Sequence, residues 1–282
     1  MDGGWDPDHH VRGRRQAGTG TRPTLATMTQ IATAKALVAR AQRIVVLTGA
    51  GISTGAGIPD YRGPQGVWTK DPAAERVSNL RDYLHDPHVR EVAWQRRNVT
   101  YTLAPDPTPA HRTLVDLETS GRLVAIVTQN TDGLHLLAGN SPDLVLEMHG
   151  NIRRWRCEDC GASGPMGDQL ARLEAGEPDP DCPTCAGITR ATVVLFGEAL
   201  DEALLGRAFD VAARCDLLVA VGSTLVVQPV ASLVAVAVQH GAGVIIVNAE
   251  PTPYDDQADA VLRGDIQDVV PELFHAVGPR ET

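Results

Sequence analysis

Four of the five cysteines fall into two pairs with the spacing of a metal site. Cys157 and Cys160 form one C-x-x-C pair, Cys182 and Cys185 form the other, and 21 residues separate them. This spacing is typical of a zinc ribbon, in which each pair contributes two thiolates to a tetrahedral ion. Since four thiolates leave no position for an activated water, a structural Zn²⁺ is predicted, with a redox pair or unrelated thiols as the alternatives. The fifth, Cys215, lies in an apolar segment and is expected to be a buried, inert thiol.

A histidine next to the cysteine pairs is a candidate general base. His149 stands between Met148 and Gly150, just before the first pair, and therefore at the junction of two parts of the chain. Imidazole titrates near neutral pH, which suits a general base. The alternative is a structural role, which we expect for His111 and His135 because each lies in an apolar, helix-like segment.

A glycine-rich turn follows an apolar run near residue 49. Gly49, Gly51 and Gly55 give the pattern G-x-G-x-x-x-G, one residue longer than the fingerprint of NAD-dependent dehydrogenases. That fingerprint also requires an acidic residue at the end of the next strand, about 20 positions on, but Glu75 lies in a segment with no strand pattern. The turn therefore predicts dinucleotide binding without hydride transfer.

Polar residues follow three further apolar runs, each at the end of a predicted strand. They are Thr128, Gln129, Asn130, Thr131, Asp132 and Gly133, then Gly222, Ser223 and Thr224, then Asn248, Ala249 and Glu250. Ligands of open parallel sheets bind at the carboxyl ends of the strands, where glycine amides approach phosphates and polar side chains bind ribose or adenine. The four turns together predict a binding edge, although each alone is also typical of a turn or a helix cap.

The elements that must position these residues are short β-branched runs alternating with helical patterns. Such alternation predicts an α/β protein with a Rossmann-like, doubly wound parallel sheet. The predicted strands cover Ile44 to Leu47, Leu123 to Thr128, Val193 to Phe196, Leu217 to Val221 and Val244 to Val247. The predicted helices cover Ala110 to Glu118, Glu202 to Ala213 and Val230 to Gln239, preceded by one that Thr29 caps.

Two segments interrupt this alternation and predict a smaller inserted domain, part helical and part zinc ribbon. They are residues 61–104 and residues 152–190, the second rich in Gly, Pro and Asp. The predicted sheet domain comprises residues 29–60, 105–151 and 191–275, between a disordered tail at 1–28 and a short tail at 276–282.

Composition restricts the classes of partner. The net charge of −10 argues against direct binding of nucleic acid, because phosphate binding needs a basic face, and it suits basic protein segments. The apolar stretches are shorter than the roughly 20 residues that span a membrane, and the N-terminal segment lacks a secretory pattern. We therefore expect a cytoplasmic protein that does not bind membranes.

Taken together, these motifs resemble the sirtuins of bacterial type, the Sir2 family of NAD-dependent protein deacylases. The resemblance covers the chain from about residue 30 to residue 275. The motifs that carry it are GAGISTGAGIPDYRG, TQNTDGLH, EMHGN, the paired C-x-x-C, VVLFGE, VGSTLVV and VNAEPTP.

The resemblance implies that NAD is bound as a co-substrate. The implied cofactor contacts are Gly49, Ala50, Gly51, Asp60, Tyr61, Arg62, Trp68, Gln129, Asn130, Thr131, Asp132, Gly222, Ser223, Thr224, Asn248, Ala249, Glu250 and Ile266. Arg62 would lie near the phosphates, Asp132 would hold the nicotinamide carboxamide, and the backbone near Ile266 would face adenine.

The resemblance also implies the catalytic and substrate residues. His149 and Asn130 would be catalytic, with His149 deprotonating a ribose hydroxyl, and the products would be lysine, nicotinamide and O-acyl-ADP-ribose. Val194, Phe196 and Gly197 would form the tunnel for the acyl-lysine of a protein substrate, whose backbone adds as a strand. A monomer is expected.

The chain departs from the family pattern at a few positions of the implied site. Tyr61 replaces the usual phenylalanine, Thr131 replaces an aliphatic residue, and Ser223-Thr224 inverts the usual order. Desuccinylases of the family carry a tyrosine three residues before an arginine, and Arg96 and Arg97 have none there, so acetyl or a longer neutral acyl group is favoured over succinyl.

Three other functions would use the same motifs. A mono-ADP-ribosyltransferase would send the ribose to a protein side chain. A non-catalytic, NAD-sensing zinc-ribbon module would bind NAD without turnover. An NAD(P) oxidoreductase would change the absorbance of the cofactor.

Overall fold

The computed structural model describes residues 25–59, 76–102, 105–275 and 277–279. The strands within these ranges are β1 (Ile44–Thr48), β2 (Leu123–Thr128), β3 (Val145–Glu147), β4 (Arg154–Cys157), β5 (Ser163–Pro165), β6 (Thr189–Ala191), β7 (Leu217–Val221), β8 (Gly243–Val247) and β9 (Ala260–Leu262). The α-helices there are α1 (Leu25–Arg40), α2 (Leu80–His85), α3 (Pro87–Thr102), α4 (Pro109–Thr119), α5 (Leu134–Ala138), α6 (Met166–Glu174), α7 (Glu202–Arg214), α8 (Leu233–Gln239) and α9 (Ile266–Phe274).

The larger sheet is parallel throughout and has the order β3-β2-β1-β7-β8-β9. β1, β2 and β3 follow one another from the centre of the sheet to one edge, and β7, β8 and β9 follow one another from the centre to the opposite edge. The strand order therefore reverses between β1 and β7. In doubly wound sheets this reversal opens a crevice at the carboxyl ends of the two central strands, where ligands bind. The predicted fold class is confirmed.

Every residue of β1 and β7 is buried, because helices cover both faces of the sheet. One face packs against α1, α4 and α9, with Leu37, Leu114 and Val270 in its core. The other face packs against α7 and α8, with Ala208 and Leu233 in its core. Two of the β-branched runs seen in the sequence are thus central strands that have no polar face.

Local signals fix where several helices begin. Thr108 caps α4, and the His111 side chain returns a contact to the Thr108 amide in a capping box. Asp265 caps α9 by accepting a hydrogen bond from the Gln267 amide. The edge strand β9 is covered in part by α1, since the Val261 amide donates to Gln30 Oε1 at 2.8 Å.

The smaller sheet is antiparallel, with the order β5-β4-β6. Its core contains Trp155, Met166 and Leu170 from the cysteine-containing segment and Trp94 from α3. A segment poor in apolar residues therefore shares one core with the helical segment that precedes it. The division into two domains stays a prediction.

Three expectations about elements need correction. Val193 to Phe196 is not a strand of the large sheet, and its only pairing among the described residues is an isolated bridge between Asn79 and Phe196. The first helix begins at Leu25 rather than after a Thr29 cap, because Leu, Ala, Thr and Met continue its first turn. Residues 25–28 are thus helical, and the rest of the predicted tail lies outside the described residues. Val230 to Gln239 opens with a 3₁₀ turn before α8.

The sequence pattern did not predict some of the strands. β3 and β9 have three residues each, which is too short to show a period. Across the described ranges, no helix has the length and apolar character that crossing a bilayer requires.

Candidate active site

The turns after β1 and β7 are packed against each other at the reversal point of the sheet. Gly222 adopts a φ of +64°, and a Cβ there would lie 2.5 Å from the Ile52 nitrogen. A Cβ on Gly51 would lie 2.7 Å from Gly222 Cα, and one on Gly49 would lie 2.7 Å from the Gly222 carbonyl oxygen. The amides of Gly49 and Gly51 donate to the carbonyls of Val221 and Gly222. The glycines are needed here for contact between the turns, and their predicted contact with phosphates stays a prediction.

The amide side chains after β2 connect these turns. Gln129 Nε2 donates to Ser223 Oγ at 3.0 Å, across the end of β1. Asn130 is buried, and its Nδ2 lies 3.1 Å from both the Gly49 carbonyl and Ser53 Oγ. The structure therefore brings together predicted residues from three separate turns.

Asp132 is held from several sides at the same edge. Ser53 Oγ donates to Oδ2 at 2.7 Å, and the Leu134 amide donates to Oδ1 at 2.9 Å. Burial raises the pKa of Asp132 above its ordinary value, although these hydrogen bonds and the nearby Arg153 charge oppose the shift. Arg153 Nε also donates to the Asp132 carbonyl at 3.1 Å. The ionised form of this carboxylate would be costly to bury without these partners.

His149 is oriented by a backbone carbonyl. Its Nδ1 lies 2.9 Å from the carbonyl oxygen of Gln129. Because a carbonyl only accepts hydrogen bonds, Nδ1 carries the proton and Nε2 is the lone-pair nitrogen of the neutral ring. The His149 carbonyl in turn accepts the Val194 amide at 2.9 Å. The turn is tight, since a Cβ on Gly150 would lie 2.0 Å from the Thr192 carbonyl oxygen.

The predicted substrate residues lie in a segment whose backbone bonds that of this histidine. The Phe196 amide donates to the Ser78 carbonyl at 2.7 Å, and the Phe196 carbonyl accepts the Leu80 amide at 3.0 Å. Phe196 is 42% exposed although it is a large apolar residue. An exposed ring on an extended backbone is a surface that a peptide strand can cover.

The predicted residues for the adenosine half lie at the end of β8 and the start of α9. Asn248 is half-buried and Glu250 exposed, and Asn248 Nδ2 donates to the Glu250 carbonyl at 2.8 Å. Ile266 begins α9, and the neighbouring Gln267 donates to the Ile52 carbonyl at 3.1 Å. This end of the site is therefore tied to the turn after β1.

Of the eight remaining predicted cofactor residues, the structure describes four. Ala50 and Thr131 are half-buried, while Thr224 and Ala249 are exposed. The predicted Asp60, Tyr61, Arg62 and Trp68 lie outside the described residues.

Sequence reasoning singled out neither Ser53 nor Arg153. Ser53 is fully buried and bonds both Asn130 and Asp132. A serine among glycines is common in turns, so only its burial distinguishes it. Arg153 also lies over the Tyr101 ring, 5.8 Å from its centroid, and no local spacing connects those two positions.

The four paired cysteines meet at one point of the small sheet. Their sulfur atoms all lie within 4.8 Å of one another, with Cys157 and Cys185 at 3.5 Å and Cys160 and Cys182 at 3.6 Å. Sulfur atoms around a tetrahedral zinc ion are about 3.8 Å apart, given Zn–S bonds of about 2.3 Å. The four thiolates therefore fit Zn²⁺ and fill its coordination shell.

The residues expected to be inert are buried. Cys215 donates to the Ala212 carbonyl at 3.2 Å, and burial raises the pKa of its thiol to about 11. His111 and His135 lie with ring centroids 4.7 Å apart, and His135 Nε2 lies 2.9 Å from Thr48 Oγ1. Burial lowers the pKa of His111 to about 4 and, together with the neighbouring His111, lowers the pKa of His135 well below its ordinary value.

Comparison with known proteins gives consistent matches. A family model described as the Sir2 family matches residues 49–229. The NAD-dependent protein deacetylase 2 of Streptomyces coelicolor is 49% identical over 235 residues, which cover 83% of this chain and 98% of that protein. A solved structure from work on the mechanism and regulation of Sir2 enzymes has a TM-score of 0.78 at 36% identity, covering 88% of this chain and 98% of the other. A second solved structure, of a Sir2 variant with a deacetylated p53 peptide and 3′-O-acetyl ADP-ribose, has a TM-score of 0.77 at 32% identity. The match covers 86% of this chain and 96% of the other.

Removal of zinc is expected to unfold the cysteine module. A strong chelator should release one Zn²⁺ per chain, expose Trp155 and shift its fluorescence to the red, because the small core depends on the metal. Zinc content by atomic emission and thiol titration check this, with Cys182→Ser expected to lose zinc and Cys215→Ser to retain it. An active, metal-free preparation with all four paired thiols titratable would contradict the assignment.

The free energy of unfolding is expected to decrease as the pH is lowered from about 6.5 to 4. The unfolded chain binds protons at its histidines near pH 6.5, while buried His111 and His135 stay neutral in the folded state to lower pH. At pH 5.5 each buried imidazole should lower the free energy of unfolding by about 1.4 kcal/mol. Urea unfolding at pH 7.5 and 5.5 measures it.

The matched variants separate these histidines from other titrating groups. His111→Gln should lose part of the pH dependence, whereas His88→Gln should keep all of it because the His88 side chain is 80% exposed. Equal pH dependence in the two variants would show that His111 is not responsible.

Proposed function

This chain belongs to the Sir2 family of NAD-dependent protein deacetylases and deacylases, and we propose that His149, Asn130 and Asp132 carry its chemistry on acyl-lysine substrates. The observation that carries the proposal is the pair of hydrogen bonds at His149. Its ring bonds the Gln129 carbonyl, and its own carbonyl accepts the Val194 amide, each at 2.9 Å. One residue thus joins the proposed cofactor residues to the proposed substrate segment.

NAD is the co-substrate, and its bond between nicotinamide and ribose is the one that breaks as the acyl group passes to ADP-ribose. Asp132 would accept the carboxamide N–H of nicotinamide, with Ser53 and the Leu134 amide holding its carboxylate. Asn130 would line the same pocket from its buried position against Gly49. Gln129, Gly222, Ser223, Asn248 and Glu250 would hold the rest of the dinucleotide along the sheet edge.

His149 would act as the general base on a ribose hydroxyl. The Gln129 carbonyl fixes the ring in the tautomer whose Nε2 accepts a proton. The acyl oxygen would first displace nicotinamide at the ribose carbon, and the deprotonated hydroxyl would then attack the captured acyl carbon. One water completes the release of lysine, so the products are lysine, nicotinamide and O-acyl-ADP-ribose. Because the reaction needs two substrates in line and no redox group on the protein, positioning supplies much of the rate enhancement.

Val194, Phe196 and Gly197 would bind the acyl-lysine and the peptide around it. The relative with acetyl ADP-ribose also held a deacetylated p53 peptide, which supports a peptide substrate for this chain. The net charge of −10 suits substrates with basic residues near the acyl-lysine.

The test is product analysis with purified protein, NAD and an acetyl-lysine peptide. Mass spectrometry should find nicotinamide, deacetylated peptide and O-acetyl-ADP-ribose in equal amounts. His149→Gln should lower kcat between about 100-fold and 10,000-fold, the range for loss of a general base. His240→Gln is the matched control, because its Nδ1 also meets a backbone carbonyl but its ring is exposed.

The alternatives give different results in the same assay. ADP-ribosylated protein would indicate a mono-ADP-ribosyltransferase. NAD binding without turnover would indicate an NAD sensor, and an absorbance change at about 340 nm would indicate an oxidoreductase. Full turnover by His149→Gln would overturn the proposed role of the base.

The acyl group is expected to be acetyl or a longer neutral chain. A succinyl group carries a carboxylate that needs a cationic, hydrogen-bonding partner, and the chain lacks the tyrosine that desuccinylases place three residues before an arginine. The kcat/KM ratio for acetyl and succinyl versions of one peptide checks this. Faster turnover of the succinyl peptide would contradict it.

A further inference from the structure

A cluster of four charged side chains lies between the cysteine module and the segment beside His149. It consists of Arg156, Glu158, Arg190 and Glu198, which we term the Arg190 cluster. Arg190 Nε lies 2.9 Å from Glu158 Oε1, and Arg190 Nη2 lies 2.7 Å from Glu198 Oε1. Arg156 bonds the same two carboxylates from the outer side. Two positive and two negative charges therefore compensate one another.

Loss of any of these contacts is costly because the cluster is largely buried. The Arg190 side chain is 2% exposed, while those of Glu158 and Glu198 are 19% and 15% exposed. A buried guanidinium is tolerated only when carboxylates and carbonyls satisfy it, so removal of one partner leaves an uncompensated charge. Arg156 is 37% exposed and forms the solvent-facing arm of the cluster.

The cluster also holds the backbone of residues 193–198 directly. Glu198 Oε2 accepts the Leu195 amide at 3.0 Å. Arg190 Nη1 donates to the Val193 carbonyl at 2.5 Å and lies 3.3 Å from the Ala191 carbonyl. These bonds hold the segment in place outside the two sheets, and it ends in a turn in which the Glu198 amide donates to the Leu195 carbonyl at 3.0 Å.

At its other end the cluster reaches the cysteine pairs. Glu158 lies inside the first C-x-x-C pair, next to Cys157. β4 and β6 pair at Arg156 opposite Arg190, one position from the pairing of Cys157 and Thr189. The cysteine module therefore positions Glu158, and the arginines of β4 and β6 connect it to Glu198.

We propose that Arg190 and Glu198 are positioning residues for the acyl-lysine substrate, which fix residues 193–197 against the cysteine module. The inference rests on the proposed role of Val194, Phe196 and Gly197. Neither charged side chain needs to touch the substrate. Peptide binding depends on the cluster, whereas NAD binding does not. Within the described residues, the side chains of Gln129, Ser223 and Asp132 bond one another's neighbours and no member of the cluster.

The test compares peptide and NAD binding in matched carboxylate-to-amide variants. Glu198→Gln keeps the size of the side chain and removes its charge, and Asp210→Asn does the same to an exposed ion pair on α7. A labelled acetyl-lysine peptide followed by fluorescence anisotropy gives one Kd, and calorimetry with NAD gives the other. Glu198→Gln should raise the peptide Kd about tenfold or more with the NAD Kd unchanged, and Asp210→Asn should change neither.

A second variant covers the case in which Glu198→Gln does not fold. Arg156→Gln removes the outer arm and leaves Arg190 paired, so it should raise the peptide Kd less and also spare the NAD Kd. Hydrogen exchange at the Leu195 amide should speed up in both cluster variants.

The outcomes separate the two proposals. An unchanged peptide Kd in both cluster variants, or an equal rise in the two Kd values, overturns the positioning role. A wild-type protein that binds NAD but no acyl-lysine peptide overturns the proposed function instead.

Discussion

The site depends on a contact between two backbone turns that leaves no room for side chains. Gly222 meets Gly51 and Ile52 at the point where the strand order reverses, and any Cβ on Gly222 would clash. This approach brings the Gly49 carbonyl within reach of Asn130 and buries Ser53 beside Asp132. A parallel sheet supplies the edge, but the glycine contact decides how near the turns come. The arrangement of the proposed dinucleotide site is therefore a consequence of backbone packing.

Backbone hydrogen bonds and burial act together on the ionisable groups of the site. The Gln129 carbonyl selects the tautomer of His149, and the Leu134 amide supports the Asp132 carboxylate against the cost of burial. Backbone groups do not titrate, so these hydrogen-bond partners keep the same donor or acceptor role at any pH at which the chain is folded. Burial lowers the pKa of both His111 and His135 and so keeps these two rings neutral.

The small sheet contributes to the site through its position. Four thiolates that suit zinc shape the ends of β4 and β6, and the Arg190 cluster connects those ends to the segment beside His149. If the Arg190 cluster has the proposed positioning role, a metal outside the reaction centre would influence substrate binding. The Trp94 contact from α3 joins the helical segment to the same core, so both inserted segments support one surface.

The sequence by itself determined the features that depend on neighbours along the chain. The cysteine spacing, the glycine turns and the four β-branched strands of the large sheet are local patterns, and the motifs placed His149 at the junction. Only the tertiary structure decided the rest, because it depends on partners far apart in sequence. Val193 to Phe196 has the composition of a strand, yet Glu198 and the Ser78 carbonyl take its amides and keep it out of the sheet. Ser53 and Arg190 gained their roles in the same way, through burial against residues that no spacing could reveal.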